Sequence, residues 1–170
     1  MSALIASIFV LALSGALLFV WSGLVHLAHF NRLRAALSAQ AILPFSWQRA
    51  AGRMLIGVEL SVGVAALASV TLGARPGFVA LALAYGGLGA YVAVLMALGK
   101  RVPCGCFDSE EAISVHVLLR CLVFAFAAGM VSLADPPPQD AGMAALVLSP
   151  AAVVFAVLAR ALPAIHRREA

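Results

Sequence analysis

Five stretches of this chain are too long and too apolar to be core elements of a soluble domain. They cover residues 3–28, 51–72, 78–98, 113–133 and 143–162. Each is close to the ~20 residues an α-helix needs to cross the hydrocarbon of a bilayer. No water is available there to satisfy open backbone groups, so runs of this length must be helical. Composition agrees: 64% of residues are hydrophobic and 11% are charged, against roughly half and a quarter in soluble domains. Mean hydropathy is +1.08. The expected fold is all-α, a polytopic membrane helical bundle of about five transmembrane helices. It forms one integral membrane domain over residues 1–170, with no room for a separate soluble one. The first four helices form the core bundle.

The breaks are legible. Pro44 and Trp47 mark a first loop, residues 73–77 read as a tight turn, and residues 135–140 as a stiff extended connector. Pro150 interrupts the fifth stretch, which a kinked membrane helix tolerates. The first stretch has no Lys or Arg before it and is too long for a cleaved signal, so it reads as a retained span. Gly57, Ser61 and Ala65, and likewise Gly86 and Ala90, recur every four residues and are expected to pack helix against helix.

The net charge of +4 gives no reason to expect nucleic acid, because the basic residues sit at the ends of apolar runs. With five spans, Arg32, Arg34, Arg49, Arg53, Lys100, Arg101, Arg160, Arg167 and Arg168 fall on one side, and Arg75 alone on the other. The positive-inside rule then puts the N-terminus outside, with the C-terminus and the loop after the third span in the cytoplasm. A bacterial inner (cytoplasmic) membrane is the expected location.

That loop carries Cys104 and Cys106, flanking Gly105. Two thiols one residue apart can form a disulfide, exchange with another thiol, or bind a soft metal. A structural zinc site would want a second cluster. Cys121, in the fourth span, is either a buried small hydrophobe or a resolving thiol for the pair. Glu59 lies inside the second span, where an acid must pair, stay protonated or face a cavity. Arg120 lies at matching depth in the fourth span and is the expected ion-pair partner. His26 and His29 are spaced by three at the end of the first span, on the same side, and complete a polar cluster. His116 and His166 stand out only as interface residues. Asp108, Glu110 and Glu111 follow the thiols as a solvated acidic turn capping the fourth helix.

The run from Val102 through Pro103, Cys104, Gly105, Cys106 and Phe107, followed by Ile113, Ser114, Leu118, Leu119 and Arg120, resembles the MauE family of methylamine-utilisation membrane proteins. That family is related to DoxX-like membrane proteins. His29, Phe30, Leu43, Pro44 and Glu59 extend the likeness upstream. Asp108 and Cys121 depart from the glycine and asparagine common in the family. The resemblance implies a four-helix bundle over residues 1–134, followed here by an additional helix over 141–163.

It also implies a role in thiol–disulfide handling with a thioredoxin-like partner, such as maturation of the small subunit of methylamine dehydrogenase or another exported client. Cys104 and Cys106 would be the redox pair. Glu59 and Arg120 would shape the buried site, and His26 or His29 would handle protons. No cofactor is expected, with a quinone or a soft metal left open. A soft-metal carrier using Cys104 and Cys106, and an assembly subunit without chemistry, remain the alternatives. A cytoplasmic thiol pair and an exported client conflict, unless reducing equivalents are relayed across the membrane.

Overall fold

A computed structural model describes residues 3–100, 102 and 113–134. Cys104, Cys106, the acidic turn after them, the connector at 135–140, the fifth apolar stretch and the basic tail lie outside the described residues. Among the described residues the chain is helical, without strands: α1 Ala3–Ala28, α2 Phe30–Gln40, α3 Phe45–Leu72, α4 Pro76–Ala97 and α5 Val115–Leu133. α1, α3, α4 and α5 are each long and apolar enough to cross a membrane.

These four form a ring. α1 packs on α3 and α5, α4 packs on the same two, and α1 and α4 lie diagonally with little contact. The order follows from the connections. Gly73 ends α3 with φ +60, a left-handed cap that costs a glycine little. Pro76 then opens α4, so α3 and α4 form a tight antiparallel pair. At the centre, the Tyr85 ring lies 4.6 Å from Phe19 and 5.2 Å from Phe124. The Tyr85 hydroxyl donates to the Gly15 carbonyl at 2.8 Å, which joins α4 to α1.

Close approach between helices uses different small residues from those expected. Gly57, Ser61, Ala65 and Ala90 are exposed, and a Cβ on Gly57 or Gly86 would meet nothing within 4 Å. The packed stripe of α3 is instead Gly52, Ile56, Glu59, Gly63, Ala66 and Ser69. Spacing by four selects a row of small residues, but it does not say which row faces the bundle. Inward-facing Gly63 sits against the α1 backbone, where a Cβ would lie 3.0 Å from the Val20 nitrogen.

The region expected to be a first loop contains a helix. α2 buries Leu33 and Ala36 and ends at buried Gln40, while Asn31, Arg32 and Ala35 point outward. It is too short to span and lies mainly against α3, where the Phe30 ring and Leu33 cover Gly52. α3 also begins six residues before the expected boundary, directly after Pro44. Polar residues do not stop it: Arg49 and Arg53 are exposed, as a helix continuing into the interface allows, and buried Gln48 donates its side-chain amide to the Leu43 carbonyl at 3.3 Å.

Candidate functional site

Glu59 and His26 form a buried pair where α1 meets α3. His26 Nδ1 lies 2.7 Å from Glu59 Oε2, and the two side chains are 5% and 6% exposed. Ser22, one turn earlier on α1, donates its hydroxyl to Glu59 Oε1 at 3.0 Å. Both carboxylate oxygens thus have a hydrogen-bond partner, which offsets much of the cost of taking the acid out of water. Gly23 makes this possible. A Cβ there would fall 2.8 Å from Leu60 and 3.3 Å from the Glu59 Cβ, so glycine lets α1 close on α3 at this level.

Two cavities meet at Glu59. The smaller, about 10 Å³, is lined by Phe19, Ser22, Tyr85, Leu88, Arg120 and Cys121 as well. It has room for about one water. The larger, about 280 Å³, extends from the His26–Glu59 pair towards α2. Leu33, Ala36, Leu37 and Gln40 of α2 roof it, and Leu88, Tyr91, Val92 and Leu95 of α4 form one wall. Gln40 is buried and accepts a hydrogen bond from the Tyr91 hydroxyl at 2.6 Å, which ties the roof to α4.

The expected cluster is therefore rearranged. Glu59 and Arg120 line one cavity, but the ion pair at Glu59 is with His26. Glu59 is 14 residues into α3, and Arg120 is five into α5. α3 thus reaches roughly 13 Å further out than α5 at 1.5 Å per residue, and α2 packs on that overhang. His29 is separated from His26 by the break between α1 and α2. It is exposed, and its carbonyl accepts the Arg32 and Leu33 amides that start α2. Cys121 is buried beside Gly89 and faces the smaller cavity. Ser22, Gln40 and Tyr91 were not anticipated. Gln40 could have been found as the last position of the series Leu33, Ala36, Leu37, Gln40, which marks one helical face.

Cys104 and Cys106 lie outside the described residues, but the stems of their loop do not. The Ile113 amide donates to the Val102 carbonyl at 3.1 Å. Ile113 is buried and lines the larger cavity. Val102 and Ile113, which flank the segment carrying both thiols, thus lie side by side, and Ile113 lines the cavity that holds the His26–Glu59 pair.

The chain matches the family described as methylamine utilisation protein MauE over residues 3–135. The chain belongs to the MauE family. No curated protein and no solved structure matches it. The matched MauE region takes in all four described spans, α2, both cavities and the loop with Cys104 and Cys106. With four apolar helices of spanning length, this MauE protein is a multi-pass membrane protein.

Proposed function

We propose that this MauE-family protein is a membrane thiol–disulfide redox protein, in which Cys104 and Cys106 alternate between dithiol and disulfide. A thiolate of the reduced pair attacks the disulfide of a thioredoxin-like partner. The mixed disulfide resolves when the second thiol attacks, leaving Cys104–Cys106 oxidised and the partner reduced; the reverse sequence oxidises the partner. The client would be an exported, disulfide-bearing protein such as the small subunit of methylamine dehydrogenase. The observation that supports this reading is the hydrogen bond from the Ile113 amide to the Val102 carbonyl, which joins the residues flanking the thiol segment, with Ile113 lining the cavity that holds a buried acid–imidazole pair. Pro103 and Gly105 suit a constrained loop able to bring two nearby thiols together. Arg32, Arg34, Arg49, Arg53 and Lys100 share the end of the bundle that carries α2 and the loop, with Arg75 at the other end. The charge rule therefore favours a cytoplasmic loop in the bacterial inner membrane, so an exported client is served through a relay of reducing equivalents across the membrane.

The test is a trapped exchange intermediate. In Cys106→Ser, Cys104 cannot resolve onto its neighbour, so a mixed disulfide with the partner should persist in membranes as a reductant-sensitive higher-mass species. The reading fails if neither Cys106→Ser nor Cys104→Ser, at normal protein levels, gives such an adduct.

A further inference from the structure

The larger cavity has a specific composition. Among the described residues its lining is aliphatic except for two polar pairs, His26 with Glu59 and Gln40 with Tyr91. At about 280 Å³ it is near the lower end of small-molecule sites, roughly 300–1,000 Å³. A gap filled by an acyl chain has no use for a buried acid, which is costly in a membrane and usually marks a functional path. A polar solute would find too few partners. The composition suits a flat, largely apolar molecule with hydrogen-bonding oxygens, dissolved in the bilayer. We propose that this cavity binds the ring of a lipid-soluble quinone, with the His26–Glu59 pair acting at a ring carbonyl.

This rests on the thiol–disulfide reading run in the direction that oxidises the partner, and it supplies the oxidant that direction needs to restore the Cys104–Cys106 disulfide. The dithiol and the quinone give the disulfide and the quinol. Two S–H bonds break and one S–S bond forms. Two electrons pass from the sulfurs to the ring, and two O–H bonds form on it. The two thiol protons balance the two quinol protons, and the His26–Glu59 pair passes a proton to a carbonyl oxygen and regains one. A quinone pool within the bilayer also removes the need for the thiols and the final electron acceptor to share one face of the membrane. α2 is then the roof of a ligand site. Leu43, which lines the cavity and is 36% exposed, marks one place where it reaches the surface.

The full-length protein in lipid nanodiscs is tested with a short-chain ubiquinone and its photoreactive azido analogue. Saturable labelling is expected on peptides of α2, α3 and α4 that line the cavity, competed by the unmodified quinone and not by an alkane alcohol of similar size. Ala51→Phe, which projects a ring into the cavity, should weaken binding by about tenfold or more, as overpacking a closed site would. The unmodified protein's labelling map keeps the proposal testable if that variant misfolds. Glu59→Gln should bind within a few fold yet reduce the quinone at least about tenfold more slowly from the dithiol form, because a proton-transfer group is lost. A double Cys104→Ser, Cys106→Ser protein should still bind quinone and no longer reduce it. Labelling spread over the lipid-facing surface, or displacement by the alkane alcohol, overturns the quinone site even if the trapped mixed disulfide is found. Saturable cavity labelling without oxidation of the thiols leaves the binding site standing and removes the redox reading beneath it.

Discussion

Glu59 sets the conditions for everything near it. A carboxyl group at that depth needs partners, and its two oxygens find them in His26 and Ser22 on the adjacent helix. Depth counted along the sequence pointed to Arg120 instead, because that count started α3 at residue 51 and not at Phe45. Residue spacing could place the acid and the arginine in one half of the membrane. It could not show that Gly23 brings α1 close enough for His26 to reach the acid first. Replacing His26 with Leu should destabilise the protein by about 1–3 kcal/mol, since a buried acceptor loses its partner. Replacing Glu59 with Leu should act similarly. The double variant should be less destabilised than the sum, by roughly 0.5–3 kcal/mol, as expected for residues in direct contact. Unfolding in detergent measures the cycle, and strictly additive losses would mean that the 2.7 Å contact carries no coupling.

At the scale of elements, hydropathy alone located the four described spans, and α1, α4 and α5 begin and end within two residues of where the apolar runs do. α2 was hidden for a physical reason. Its apolar face is only four positions long and is interleaved with Asn31, Arg32, Arg34 and Ser38, so its average character is that of a loop. The bond from Tyr91 to Gln40 joins residues 51 apart, and no local pattern announces it. The facing of helices was equally hidden, and glycines on α3 give a direct test of it. In Gly63→Ala the new Cβ would lie 2.7 Å from a Val20 methyl and 3.1 Å from the Ala16 carbonyl oxygen. Part of that surrounding is backbone and cannot turn aside, so a loss of about 1–3 kcal/mol is expected. In Gly57→Ala the Cβ meets nothing within 4 Å, and better helix propensity should leave stability unchanged or raise it by up to ~1 kcal/mol. Thermal unfolding of the two variants in micelles decides the point. Equal effects would mean that α3 does not present its Gly63 face to α1.

At the scale of the whole molecule, the bundle holds a polar pair within an apolar frame, and Ile113, which follows the segment with both thiols, lines the same cavity. α3 overshoots α5, α2 covers the overhang, and Ile113 brings the returning loop stem to the cavity beneath. The family match covers this whole arrangement. The central claim is that Cys104 and Cys106 form a reversible redox pair there, and two-step alkylation read by mass spectrometry tests it most directly. Cells are treated with a mild oxidant or with reductant, opened, and labelled with one thiol reagent; they are then fully reduced and labelled with a second. After oxidation Cys104 and Cys106 should carry only the second label, and the unreduced peptide should be lighter by two hydrogens than the dithiol form. After reduction both should carry the first label. If both thiols take the first label whatever the treatment, the loop holds two independent cysteines and the redox account is wrong.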